Sequence, residues 1–215
     1  MLLPHRGPAA VSRRIVAVHV DALDGHASHF ARLIEEETGC DSASALAEVR
    51  ERNLELWRSL GKPYVASFCA SCKHSLEGYT AVLSPEEGQE WKQKCVGLSS
   101  LLANPLATPA GMIPAAIGYH QPCHWGTADP DLPLLKSWLP GLQKGTGLCC
   151  GMGGILKMSN PDLSADMARK CLEGFAPEIR HIVTGCSGCV MQLASAAPEG
   201  VKVRHWLDIV DAKSV

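Results

Sequence analysis

Two stretches of the 215-residue chain are versions of one pattern, and this duplication constrains the fold more than any other feature. RNLELWRSLGKPYVASFCASCKHSL fills residues 52–76, and RKCLEGFAPEIRHIVTGCSGCVMQL fills residues 169–193. Each holds a helical stretch, a short β-branched or apolar run, a C-x-x-C pair and a second helical stretch. The pairs Cys69/Cys72 and Cys186/Cys189 superimpose without a gap, and matching pieces follow, KCVGLSSLL from Lys94 and KVRHWLDIV from Lys202. Self-similarity on this scale implies that one supersecondary plan is used twice.

The surrounding sequence fits helices alternating with strands. Residues 28–37 and 42–60 carry apolar side chains at helical spacing. Residues 64–68 and 114–120 read as short buried strands, with Pro122 ending the second. Residues 162–175 read as a helix behind a Pro161 start signal, and 181–184 and 201–204 as strands. Alternation of this kind predicts α/β architecture: two pseudo-repeated small halves with parallel sheets. The stretch 104–114, rich in Pro, Ala and Gly, is the expected boundary, giving halves 1–108 and 109–215. Cys69, Cys123 and Cys186 each fall just past a predicted strand, the edge where open α/β sheets gather ligands.

Composition narrows the function. A formal net charge of −2 offers no electrostatic footprint for nucleic acid. No run of 18 apolar residues exists, so no membrane span is expected. MLLPHRGPAAVSRR has no compact apolar core ahead of its arginines and does not read as a secretory signal. Ten cysteines in such a chain point to a reducing, cytoplasmic compartment and to metal binding rather than a disulfide framework.

The densest cysteine chemistry lies in the second half: Cys123, then TGLCCGMGG (146–154), then Cys186 and Cys189. Thiolates of this number and spacing suit an iron–sulfur cluster, in which one C-x-x-C loop reaches two metal atoms. Five exceed what an ordinary cubane needs. Neighbouring Cα atoms lie about 3.8 Å apart, so Cys149 and Cys150 can face one cluster if the backbone bends sharply. Gly151, Gly153 and Gly154 permit that bend and leave N–H groups free for cluster sulfides. A structural zinc site is the alternative, since four thiolates suit tetrahedral zinc. Zinc gives no reason for an adjacent pair.

The order C…C-C-G…C-x-x-C resembles the cysteine-rich CCG domain family, whose members include the B subunit of heterodisulfide reductase and the iron–sulfur subunits of glycolate, lactate and glycerol-3-phosphate dehydrogenases. YHQPCHWG (119–126), LCCGMGG (148–154) and VTGCSGCVMQL (183–193) carry the resemblance. It implies a [4Fe-4S] cluster, non-cubane as in the heterodisulfide reductase relatives, ligated by Cys123, Cys149, Cys150, Cys186 and Cys189. It further implies an oxidoreductase subunit that moves electrons between a flavoprotein or ferredoxin-like partner and a disulfide, quinone or similar acceptor, active only with that partner. The first half departs from the family pattern. It keeps SFCASCKHSL but shows only Cys40 where a C-C-G would fall, so it reads as a degenerate copy. It either holds no cluster or forms a second site, with zinc, through Cys69, Cys72 and others. A zinc-stabilised binding or assembly module without turnover is the rival function.

Other residues carry plainer expectations. His120 and His124 flank Cys123, as strand-end caps or as outer-shell support and proton donors to a thiolate. Trp125 reads as packing. Lys73 and Lys157 read as solvated lysines, and Glu35, Glu36 and Glu37 as a wet helix face. Cys40, Cys95 and Cys171 read as buried small apolar residues.

Overall fold

The computed structural model describes residues 15–16, 42–102, 108–109, 116–153 and 156–211. The helix expected over 28–37, the glutamates 35–37, Cys40 and Gly154 lie outside the described residues. Contacts divide the chain into two compact units. The first is Met1–Ser67 with Cys72–Val96; the second is Phe68–Ser71 with Gly97–Val215.

In the first unit, α1 (Ser42–Ser59) precedes β2 (Tyr64–Ser67), and α2 (Ala70–Glu77) starts at the unit's edge. A three-stranded sheet has the order β1 (Ile15–Val16), β2, β3 (Cys95–Gly97), with β1 and β2 parallel. Helix α3 (Pro85–Lys94) is largely polar, yet it starts where capping chemistry dictates: Pro85 is its first residue and Ser84 accepts from the Glu87 N–H. Its one large apolar residue, Trp91, anchors the core. The Trp91 ring meets Trp57 edge-on at 4.9 Å and stacks on Tyr79 at 5.4 Å. Its indole N–H donates to the Leu76 carbonyl at 2.7 Å, so burial leaves no donor unmet.

The second unit is built on a fully parallel four-stranded sheet in the order β6 (Gln143–Lys144), β5 (Ile117–His120), β7 (His181–Thr184), β8 (Lys202–His205). The buried runs IGYH and HIVT pair residue for residue, Ile117 with His181 through His120 with Thr184. Apolar side chains on both faces are what a covered parallel sheet requires. Ile117, Tyr119 and Val183 pack with Leu134, Leu135 and Trp206. Helices α4 (Asp131–Trp138), α5 (Leu156–Ser159), α6 (Pro161–Glu173) and α7 (Ser187–Ala196) complete the unit. A short antiparallel pair joins β4 (Thr108–Pro109) to β9 (Val210–Asp211).

The duplication is visible element by element. Strand, cysteine and helix recur as β2, Cys69, α2 and as β7, Cys186, α7; β3 and β8 are each followed by a 3-10 turn, at Leu98–Leu101 and Trp206–Ile209. The fold is α/β with parallel sheets and cysteines at strand carboxyl ends. No helix among the described residues is long and apolar enough to cross a membrane.

Candidate metal centre

Three adjacent strands of the second unit send cysteines off the same edge. Chain leaving β6 leads to Cys149 and Cys150, chain leaving β5 to Cys123, and chain leaving β7 to Cys186 and Cys189. Their sulfurs form a continuous row. Cys123 hydrogen-bonds Cys149, and Cys149 hydrogen-bonds Cys150. Cys150 Sγ lies 3.3 Å from Cys189 Sγ, and Cys189 in turn bonds Cys186. Beyond Cys186, at 3.9 Å, stands the sulfur of Cys69. Cys69 sits in the Phe68–Ser71 segment that belongs to this unit, and Cys72, half-buried in α2, belongs to the first. Every described cysteine is a free thiol.

The loops that carry these sulfurs are fixed by buried polar groups. Gly151 adopts a left-handed φ of +82°, and a Cβ there would stand 2.6 Å from the Ser164 carbonyl oxygen. The close approach lets the Ser164 hydroxyl donate to the Gly151 carbonyl at 2.8 Å. The wholly buried Gln192 then ties Ser164 down through its side-chain N–H groups, and Lys157 holds the Gln192 carbonyl oxygen. The turn also aims the Gly151 N–H at Cys149 Sγ, 3.4 Å away. A backbone donor directed at a sulfur is the outer-shell arrangement that tunes cluster ligands.

A second anchor holds the Cys123 and Cys186 loops. Asp131 is buried and accepts from the Ser99 hydroxyl at 2.6 Å and from the Trp125 indole N–H at 2.9 Å. The Trp206 indole N–H favours the same carboxylate without forming a well-shaped hydrogen bond to it. Gly185, one residue before Cys186, lies so close that a Cβ would fall 1.8 Å from Asp131 Oδ2. Asp129 supports the turn by accepting from the Tyr119 hydroxyl and the Asp131 N–H. Burial raises the Asp131 carboxyl to about 7, with Asp129 adding repulsion.

His120 is buried at the end of β5. Its Nε2 lies 3.3 Å from the Leu148 carbonyl and its Nδ1 3.1 Å from the Thr184 hydroxyl. A carbonyl only accepts, so Nε2 carries the hydrogen and Nδ1 accepts from Thr184. Burial lowers its pKa, which favours this neutral form. His120 thus joins the ends of two strands to the residue before Cys149. Cys171 is buried as expected, but its Sγ also reaches the Leu148 carbonyl at 3.5 Å. His124 lies on the other side, its Nδ1 2.9 Å from the Ser71 hydroxyl.

The thiols are polarised by one another. Hydrogen bonds from Cys123 and Cys150 pull Cys149 down to about 2, against the effect of its burial. Cys150 rises to about 11, chiefly through its bond to Cys149. Cys123 is raised first by its bond to Cys149 and then by burial, and Cys189 by its bonds to Cys150 and Cys186. This mutual hydrogen bonding favours the thiolate form at Cys149 over its neighbours.

The donor set is sulfur throughout, each sulfur in contact with the next. Among the described residues, no three Cys, His, Asp or Glu side chains surround one point as ligands of a single ion would. Donors linked sulfur to sulfur, with a backbone N–H on one of them, fit a group of several metal atoms held by thiolates. Gly153 has open space around it and no left-handed backbone, unlike Gly151. Trp125 is packing with a polar duty to Asp131, and Lys73 pairs with Glu77.

Similarity to known proteins falls on the same stretch of chain. Residues 141–194 match the family model of the cysteine-rich domain CCG. This part of the chain is similar to the CCG cysteine-rich domain. The match takes in Cys149, Cys150, Cys186 and Cys189, with Cys123 ahead of it. The chain is 42% identical over 67 residues to the glycolate oxidase iron-sulfur subunit of Escherichia coli, covering 30% of this chain and 16% of that protein. It is 28% identical over 188 residues to the B subunit of the fumarate reductase (CoM/CoB) of Methanothermobacter marburgensis, covering 80% and 35%. It is 26% identical over 178 residues to the D subunit of the dihydromethanophenazine:CoB–CoM heterodisulfide reductase of Methanosarcina mazei, covering 73% and 44%. The chain spans less than half the length of each of these relatives, which are subunits of oxidoreductases.

Proposed function

We propose that this chain serves as an iron–sulfur subunit of an oxidoreductase, holding a [4Fe-4S] cluster of the non-cubane kind through Cys123, Cys149, Cys150, Cys186 and Cys189. The observation that carries the reading is the unbroken row of sulfurs from Cys123 to Cys186, delivered by loops from three neighbouring strands. In this reading residues 109–215 are the working half and 1–108 a degenerate copy. A bound cluster supplies single-electron chemistry and a place for a substrate sulfur; the chain supplies position and electrostatics.

The chain's own residues define the direction of approach. Cys123 is exposed, whereas Cys150, Cys186 and Cys189 are buried. An acceptor, whether disulfide, quinone or similar, reaches the row from the Cys123 end. Gly151 and the Ser164–Gln192 pair hold the vicinal thiols, and Asp131 holds the Cys123 and Cys186 loops. Electrons arrive from a flavoprotein or ferredoxin-like subunit in the cytoplasm, and turnover requires that partner. The names of the relatives support an oxidoreductase assembly, with heterodisulfide reduction and 2-hydroxyacid oxidation as its two candidate chemistries.

Anaerobic purification tests this directly. The expected protein is brown, with iron and acid-labile sulfide in equal amounts, and Cys149→Ser or Cys150→Ser loses or converts the chromophore. Colourless protein carrying one tightly bound zinc and no sulfide would overturn the reading in favour of a structural module.

A further inference from the structure

We infer that Cys69 is a sixth cysteine ligand of the same centre, bound to the metal atom that Cys186 holds. The inference rests on the cluster reading above and extends its ligand set to a segment from the other repeat.

Position comes first. Cys69 and Cys186 are equivalent residues of the two repeats, each two residues past its strand. Both are almost fully buried, at 5% and 3% exposure. Their sulfurs stand 3.9 Å apart. Two thiolates on one tetrahedral metal atom, with metal–sulfur bonds of about 2.3 Å, are separated by about 3.8 Å. The pair is therefore already spaced for one metal. Cys150 and Cys189, at 3.3 Å, are closer than that.

The segment is also fastened at the site by bonds that do not involve sulfur. The Ala70 N–H donates to the Gly185 carbonyl at 2.9 Å, linking the residues that follow and precede the two cysteines. His205, at the end of β8, places Nε2 2.9 Å from the Phe68 carbonyl, and the ring of Phe68 meets His205 edge-on at 5.8 Å. The Ser71 hydroxyl lies 3.2 Å from Cys186 Sγ and is itself held by His124. Residues 68, 70 and 71, which belong to the second unit, thus all contact its other loops, and Cys69 stands among them. A buried thiol set there for packing alone would need none of this polar fixation. With Cys69 recruited to this centre, the first repeat holds no separate zinc site through it.

The test uses the full chain, purified anaerobically and loaded with 57Fe. Mössbauer and EPR spectra are compared for wild type, Cys69→Ser, Cys69→Ala and Cys95→Ala. The expected result is a shift of one iron's quadrupole doublet in both Cys69 variants, with Cys95→Ala superposable on wild type. Wild-type iron with unchanged spectra in both Cys69 variants overturns the inference and leaves the cluster reading intact. Zinc without sulfide in the wild type overturns both. As a check independent of loading and of variant folding, the apoprotein is treated with dibromobimane, which bridges neighbouring thiols, and peptide-mapped. A Cys69–Cys186 bridge supports the inference, and bridges confined to the other cysteines count against it.

Discussion

Replacing Gly151 by alanine should damage this protein far more than replacing Gly153, two residues away. The two glycines look alike in GMGG but stand in different surroundings. At Gly151 the backbone is left-handed, which costs an L-residue about 1–2 kcal/mol. The new methyl would also sit 2.6 Å from the Ser164 carbonyl oxygen and 2.9 Å from Met167 Cβ. Both neighbours belong to α6, so relief requires moving a helix rather than a side-chain tip, and overpacking of that kind costs about 1–3 kcal/mol. The sum is about 2–5 kcal/mol. Moving α6 also strains the Ser164–Gly151 hydrogen bond and turns the Gly151 N–H away from Cys149. At Gly153 nothing lies within 4 Å of the added carbon and φ is not left-handed. That substitution should stay within about 0.5 kcal/mol. Urea unfolding of the anaerobically purified variants measures the stability difference, and iron and sulfide per chain measure loading. Equal midpoints and equal iron in the two variants would refute the account of this turn.

Further substitutions probe the supports one at a time. Gly185→Ala drives a methyl into Asp131 Oδ2, 1.8 Å away, and should reduce iron retention and lower stability by about 1–3 kcal/mol in an unfolding titration. Asp131 should make stability pH-dependent. Its folded pKa is raised to about 7, against about 3.9 unfolded, so the folded state binds the extra proton between those values. That contribution is fully present below pH about 4, is lost as pH rises through about 7, and amounts to at most about 4 kcal/mol. Asp131→Asn cannot ionise, so its stability relative to wild type should rise from pH 5 to pH 8 in paired melts; a constant difference would show that the carboxyl is not perturbed. Trp91→Ala empties the centre of the first unit's core and should cost about 3–5 kcal/mol, read by chemical unfolding.

The sequence made the repeated elements legible because each carries its own local signal. Residues 181–184 form the expected strand, and the helix expected over 42–60 ends one residue earlier, at Ser59. The elements outside the repeats had weaker signals. Helix α4 has Pro133 in its first turn, which hides it from a reading based on apolar period, although Pro is tolerated there. Helix α3 has one apolar anchor and no stripe, yet its Ser84-Pro85 start was a readable cap. Strand β6 is two residues long, too short to show any period.

The site divides along a different line. Cysteine spacing singled out Cys149, Cys150, Cys186 and Cys189, because C-x-x-C and C-C are local patterns tied to metal chemistry, and Cys123 joined them through its place just past a strand. Asp131 and Gly185 had no such pattern. Their relation is a contact between a carboxylate and a missing side chain, and it exists only once β7 and α4 are packed. Cys69 falls between these cases. The repeat shows that it is the counterpart of Cys186, and symmetry alone would assign each counterpart its own site. The chain instead crosses Phe68–Ser71 onto the second unit, tied by the Ala70–Gly185 and His205–Phe68 hydrogen bonds. Equivalent cysteines that meet need not each carry a complete ligand set. A first repeat without a C-C pair can still contribute one sulfur, provided the backbone bonds that bring it across are kept.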